Sequence, residues 1–138
     1  MLNILLLGAN SYIGKHLKGH LEQHPADYRV TAISQRDDRW KELDFSVFDS
    51  IVDCVGIAHR KETKENAHEY YEINADLAFQ TAKKAKESGV KQFIFLSSMS
   101  VYGLDEGVIT KDTQPDPKTH YGKSKWQVPH SGIPGQAG

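Results

Sequence analysis

The stretch Gly8-Ala9-Asn10-Ser11-Tyr12-Ile13-Gly14 constrains the fold more than any other part of the chain, because one hydrophobic period ends there and another begins. Before it, Asn3 to Leu7 is a short apolar run, the pattern of a strand buried on both faces of a parallel sheet. After it, Ile13, Leu17 and Leu21 recur at every fourth position, as one stripe of a helix does, until Pro25 breaks the run. A strand-to-helix turn with glycine at both ends predicts backbone N–H groups gathered at a helix N-terminus, where phosphate is held. Gly8 allows the tight turn, and Gly14 lets the helix pack closely on the sheet. The spacing is G-x-x-G-x-x-G with Ser11 at the middle position, where its hydroxyl either donates to a phosphate or caps the helix. From this motif alone, a turn that binds nothing is the competing reading.

Strand and helix patterns then alternate along the chain. Arg29 to Ser34 predicts a second strand, a short segment surrounds Leu43, and Ser50 to Val55 predicts a third strand. A long helix is expected from Glu65 to Ser88, with Tyr71, Leu77, Ala78, Thr81 and Ala85 on one side and Lys83, Lys84, Lys86 and Glu87 on the other. Gly89 supplies its left-handed end. Lys91 to Leu96 predicts another strand, and a loop carrying Gly103, Gly107, Pro115 and Pro117 leads to a helical start at His120 to Gln127. Strands separated by helices of this length imply an α/β protein. The expected architecture is a Rossmann-like parallel sheet with helices on both faces, incomplete at the C-terminus, over residues 1–127. Residues 128–138, VPHSGIPGQAG, carry two prolines and three glycines and read as a disordered or aberrant tail. A truncation, a frameshifted end or an artefact would each produce it.

Composition excludes several classes of function. The chain has 138 residues, the size of one ordinary domain, and a formal charge of −1 from 17 basic and 18 acidic residues. That balance offers no footprint for nucleic acid or anionic lipid. Ile4 to Leu7 is far too short to span a membrane, and no basic segment precedes it, so a cytoplasmic protein is expected. The single cysteine, Cys54, sits among Ile51, Val52 and Val55 as a buried strand residue would. His16, His20 and His24 recur every fourth residue beside the Leu17 and Leu21 stripe, but no carboxylate or cysteine completes an evident set, and no metal is expected.

Two further places carry chemistry. A dinucleotide fold puts a residue that reads the adenosine ribose about twenty positions after its glycines, which lands on Ser34. Ser34 and Arg36 lean toward the extra phosphate of NADP, while Asp37 and Asp38 keep NAD open. Downstream, Asp44 and Phe45 suit adenine, with a carboxylate for its amine beside an apolar wall; a solvated loop carboxylate is the alternative. In Tyr121-Gly122-Lys123-Ser124-Lys125 a tyrosine and a lysine stand four apart at a helix start, so both lie on one face. An ammonium beside a phenol lowers a pKa that is ordinarily about 10 and makes the phenol a usable acid/base. The serine cluster Ser97 to Ser100 follows a predicted strand at the carboxyl end of the sheet, where open α/β folds place their sites. A hydroxyl there and Tyr121 would form a Ser/Tyr pair on one substrate oxygen while a nicotinamide exchanges hydride.

The run Phe93-Ile94-Phe95-Leu96-Ser97-Ser98-Met99-Ser100-Val101-Tyr102-Gly103, then Asp112-Thr113-Gln114-Pro115-Asp116-Pro117, then Tyr121-Gly122-Lys123-Ser124-Lys125, closely resembles the extended short-chain dehydrogenase/reductases of the NAD-dependent epimerase/dehydratase family, UDP-galactose 4-epimerase and its relatives. The resemblance covers about residues 2 to 127 and assigns the catalytic hydroxyl to Ser98, the acid/base to Tyr121, and the lysine on the nicotinamide ribose to Lys125. It implies NAD or NADP held by Gly8, Asn10, Ser11, Tyr12, Ile13 and Gly14, by Ser34, Arg36, Asp44 and Phe45, and by the turn Val55-Gly56-Ile57-Ala58. Asn74 matches an asparagine of the family's helix pattern that is tied to the site. The implied substrate is a nucleotide sugar, and the implied partner is a second copy joined through the long helix and the tyrosine helix.

Ser11 departs from the family's central glycine, and Asp53-Cys54-Val55 departs from a histidine or apolar residue followed by alanine. Family members also continue for roughly twice this distance. The expectation is therefore a nicotinamide-dependent epimerase, dehydratase or reductase by ancestry, without turnover at this length. The rivals are a non-catalytic NAD(P)-binding or regulatory module and an inert truncation product. Which sugar is taken, and which of the three reactions is run, are not written in these residues.

Overall fold

The computed structural model describes residues 1–55, 63–96, 102–104 and 107–127 of the chain. They form two compact units. The first comprises Met1–Val55 and Gln80–Leu96, and the second gathers the described residues of 63–79, 102–104 and 107–127.

The first unit is built on four parallel strands in the order β2-β1-β3-β4: β1 (Leu2–Leu7), β2 (Tyr28–Ile33), β3 (Ser50–Asp53) and β4 (Gln92–Phe95). β1 is central. Leu2 to Leu7 pair with Tyr28 to Ile33 on one side, and Ile4 to Leu7 pair with Ser50 to Asp53 on the other. β4 extends the sheet, with Ser50 opposite Gln92 and Asp53 opposite Phe95. Successive side chains of a strand point to opposite faces, and both faces of β1 are closed. Ile4 and Leu6 join Val52, Cys54 and Leu21 in one cluster, with Leu17, Val30 and Leu96 packed against it. On the other face Leu5, Leu7 and Ile51 are each 0% exposed, so no part of them reaches solvent. Burying a leucine this completely stabilises a fold by roughly 1.5–3 kcal/mol.

Helix α1 (Tyr12–Glu22) returns the chain from β1 to β2 and supplies Leu17 and Leu21 of the apolar stripe expected of it, whereas Ile13, the third expected member, is exposed. β3 is shorter than its apolar run predicts. Asp53 accepts a hydrogen bond at 2.9 Å from the Val55 N–H, which turns the chain out of the strand two residues early. The segment around Leu43 forms two 3-10 turns, Asp38–Glu42 and Phe45–Val47, each opened by an aspartate that caps it, Asp37 and Asp44.

The long helix expected from Glu65 to Ser88 is corrected to α2 (Ala67–Tyr71), a π turn (Glu72–Asp76) and α3 (Leu77–Glu87). Nothing in Glu-Ile-Asn-Ala-Asp distinguishes it from ordinary helix by periodicity, so the extra residue of the π turn is invisible to that argument. The helix stops as predicted: Gly89 has φ +77°, and the Gly89 and Val90 N–H groups return to Lys86 and Ala85 carbonyls at 3.1 Å each. In the second unit α4 (His120–Gln127) packs against α2 and the π turn. The tail at 128–138 lies outside the described residues, as do Gly56, Ile57, Ala58 and Ser98.

Candidate functional site

The strand order reverses at β1: the first crossover leads to β2 on one side, and the next returns to β3 on the other. Open α/β sheets bind ligands at such a switch, beyond the carboxyl ends of the two strands. Gly8 and Cys54 stand at those ends. Gly8 has φ +78°, and a Cβ placed there would lie 2.7 Å from the Cys54 carbonyl carbon and the Val55 nitrogen, so only glycine fits this turn. A Cβ at Gly14 would collide with the Gly8 carbonyl oxygen and come within 2.9 Å of Ser11 Oγ.

Ser11 decides between its two expected roles. Its hydroxyl donates to the Gly8 carbonyl at 2.7 Å and accepts from the Gly14 N–H at 3.1 Å, so it closes the turn and caps α1. The N–H groups of Tyr12 and Ile13 stay open among the described residues. They are the first two donors of a helix end whose partial positive charge favours anions. Their side chains are also exposed, 78% and 55%, which is unusual for residues of this size and leaves an apolar surface at the mouth of the turn. Asn10 is exposed beside them.

At the end of β2 the Ser34 hydroxyl accepts from the Arg36 N–H at 3.1 Å, and both residues are exposed. Asp37 is committed locally, capping the first 3-10 turn and pairing with Arg39 Nε at 3.2 Å, and Asp38 pairs with Lys41 at 3.2 Å. Arg36 has no ion-pair partner among the described residues. Between them Gln35 turns inward: its Nε2 donates to Thr81 Oγ1 at 2.8 Å, and its Oε1 is buried without a partner.

Asp44 caps the second 3-10 turn through one oxygen, Oδ1, which accepts from the Ser46 hydroxyl at 2.6 Å and the Ser46 N–H at 2.9 Å. Those two bonds, and more weakly the positive Lys84, hold its carboxyl below the usual carboxylate value. Its Oδ2 carries no hydrogen bond among the described residues. The ring of Phe45, expected as an apolar wall beside it, is turned into the core. Phe45 is 0% exposed, its ring lying 6.4 Å from Trp40 and 4.8 Å from Lys84 Nζ, so the ring anchors the turn from below and offers no surface.

In the second unit Tyr121 is half-buried and Lys125, on the same face of α4, is 4% exposed, whereas Lys123 between them is exposed. A lysine is rarely buried this far unless it is paired, and the buried one is Lys125, the lysine that stands four residues after Tyr121. Two ties bracket Tyr121. Tyr71 Oη and His120 Nδ1 lie 3.0 Å apart, and Asn74 Nδ2 donates at 3.2 Å to Ser124 Oγ, which donates at 2.8 Å to the Tyr121 carbonyl. Asn74 is 0% exposed within the π turn, a conformation that concentrates at functional sites. Tyr71, His120 and Ser124 carry no signal as site residues in the sequence beyond standing next to the motif. His16, His20 and His24 are spent on ring contacts, with Tyr12 to His16 at 4.5 Å, His20 to His24 at 5.4 Å and His24 to Tyr28 at 6.5 Å. Among the described residues no three His, Cys, Asp or Glu side chains gather as metal ligands, and no helix is long and apolar enough to cross a membrane.

The sequence profile of the NAD dependent epimerase/dehydratase family matches residues 4–131. The chain is 30% identical to an N-acetyl-alpha-D-glucosaminyl-diphospho-ditrans,octacis-undecaprenol 4-epimerase of Escherichia coli O157:H7, over 91% of this chain and 41% of that protein. It is 32% identical to a UDP-glucose 4-epimerase of Vibrio cholerae, over 89% of this chain and 44% of that protein. Among solved structures, a UDP-glucuronic acid 4-epimerase from Bacillus cereus in complex with NAD superposes with a TM-score of 0.78 at 24% identity, over 94% of this chain and 50% of that one. MoeE5 in complex with UDP-glucose and NAD superposes at 0.79 with 22% identity, over 93% and 47%. These structural likenesses establish the Rossmann-like fold, and the chain spans less than half the length of the two curated relatives. By its sequence profile, over nearly its whole length, the chain belongs to the NAD dependent epimerase/dehydratase family.

Proposed function

We propose that the chain is the dinucleotide-binding part of a nucleotide-sugar epimerase, dehydratase or reductase that uses NAD or NADP. The observation that carries this reading is the turn at the strand-order switch, where Gly8 and Gly14 leave no room for a Cβ and the Tyr12 and Ile13 N–H groups stay open. A pyrophosphate fits such a backbone cradle, and Gly8, Asn10, Tyr12, Ile13 and Gly14 would hold it, with Ser11 shaping the turn. The exposed Ser34 and Arg36 would face the adenosine ribose, and the open oxygen of Asp44 would accept from the adenine amine. Val55 to Ala58 and Asn74 complete the set on the family pattern.

A nicotinamide held by these residues would supply the hydride acceptor and donor for a sugar carbon. The chain's own part is proton management. Tyr121 Oη takes the proton of the sugar hydroxyl, Lys125 supplies the positive charge that favours the phenolate, and Ser98 orients the hydroxyl. The Vibrio cholerae relative is named for UDP-glucose and MoeE5 is solved with it, so UDP sugars are the substrate class to test first. A homodimer joined through the long helix and the tyrosine helix, which the family resemblance implies, belongs to the same proposal.

Titration calorimetry of the chain with NAD and with NADP tests the reading. Saturable binding of one or both is expected, with NADP favoured by Arg36. Absence of heat at millimolar concentrations of both would sink it.

A further inference from the structure

We infer that Lys84 and Thr81, one turn apart on α3, are positioning residues for the adenosine end of the dinucleotide: they hold the β2-to-β3 connection at the two places that carry Ser34, Arg36 and Asp44. The inference rests on the proposed reading of those residues. Its physical basis is that the connection cannot place itself. Between Ile33 and Ser50 it contains only two 3-10 turns, of five and three residues, and turns this short have poor intrinsic stability.

The far end of the connection is tied to β1, where Asp49 and Asn3 exchange hydrogen bonds at 2.8 Å, and α3 holds the connection at two places before that. At the first end, Thr81 Oγ1 accepts from Gln35 Nε2 at 2.8 Å, fixing the residue that lies between Ser34 and Arg36. Midway along it, Lys84 Nζ donates to the Lys41 carbonyl at 2.9 Å and lies 4.8 Å over the ring of Phe45, the residue next to Asp44. The neighbouring Lys83 and Lys86 are exposed, while Lys84 is half-buried with its ammonium turned onto the connection. Its positive charge also acts on the Asp44 carboxylate. Lys84 thus sets where the Asp44 turn sits without touching the ligand itself.

The test separates the two ends of the ligand. Calorimetry on Lys84→Met is expected to show NAD and AMP binding weakened by roughly five- to tenfold, the loss of one hydrogen bond and one cation–π contact. Binding of nicotinamide mononucleotide, followed by ligand-observed NMR, is expected to stay unchanged. Lys84→Arg keeps a donor and a cation over the ring and is expected to restore AMP binding. Equal weakening of both fragments, or no rescue by arginine, overturns the inference in favour of general support of the fold.

Asp44→Asn tells the two levels apart. If it weakens AMP binding while Lys84→Met does not, the adenosine reading stands and the role of Lys84 falls. If neither substitution affects AMP, or the unsubstituted chain binds neither NAD nor AMP, both fall. Hydrogen exchange gives a ligand-free check. In Lys84→Met the Leu43 and Phe48 amides, bonded to Trp40 and Phe45 carbonyls, are expected to lose protection while Leu5 to Leu7 keep theirs; unchanged protection at Leu43 and Phe48 overturns the inference.

Discussion

The turn after β1 and the start of α4 both carry proposed site residues, yet different forces hold them. After β1 the arrangement is made of backbone: Gly8, Ser11 and Gly14 lie within seven residues of one another, and every contact that shapes the turn is local or with the adjacent end of β3. At α4 the arrangement is made of side chains: Tyr71 reaches His120 across 49 positions and Asn74 reaches Ser124 across 50. A site made of backbone tolerates no added atom, because main chain cannot move aside as a rotamer can. A site made of side-chain ties degrades one bond at a time.

The sharpest way to break that contrast is Gly8→Val. It forces a β-branched residue to φ +78° and drives its Cβ to 2.7 Å from main chain, so a loss of about 4 kcal/mol or more of stability is expected, read as collapse of the urea midpoint. A fully stable variant would mean the turn yields. Next in size is a change in chemistry with little change in stability. On the proposed function, Tyr121→Phe keeps the ring and removes the proton, and any turnover of a UDP sugar is expected to fall by roughly a hundredfold. Near-normal turnover would assign the proton to another group.

A pair of serines then sets the two modes side by side. Ser124→Ala leaves the fully buried Asn74 without that acceptor and is expected to cost about 1–3 kcal/mol. Ser11→Ala removes a helix cap and is expected to cost about 1 kcal/mol. Equal unfolding midpoints for the two variants would remove the distinction. The smallest effect concerns acid. Because the folded state depresses the Asp44 carboxyl, its contribution is present above the ordinary value of 3.8 and is lost as pH falls through the lower folded value. The gap in urea midpoint between the chain and Asp44→Asn is therefore expected to narrow from about pH 6 to about pH 3; a widening gap would reverse the sign assigned to the Ser46 bonds.

What was legible in the sequence follows the same division. The Gly8 to Gly14 turn, the Leu17 and Leu21 stripe of α1 and the stop at Gly89 are each set by a few adjacent residues, and each forms where its residues predict it. The π turn was not legible, because Glu72 to Asp76 satisfies helical periodicity as well as the residues on either side of it do. Nor were the anchors of the β2-to-β3 connection. Thr81 and Lys84 read as parts of two sides of one amphipathic helix, and their partners Gln35 and Lys41 lie 46 and 43 positions away. Asp44 was legible as a carboxylate before an aromatic residue, but the direction of the Phe45 ring was not, since either face of a short turn would satisfy the pattern.

The central place of β1 in the sheet bears on how the chain is made. β1 precedes both of its partners in the chain, so its pairing on one side waits for Tyr28–Ile33 and on the other for Ser50–Asp53. Until Asp53 has left the ribosome, Ile4 to Leu7 present an unpaired edge and an uncovered apolar surface, the condition in which nascent strands meet the wrong partner. Substitutions that slow closure of β3 onto β1 should therefore lower the yield of folded protein even where they leave the finished fold as stable as before.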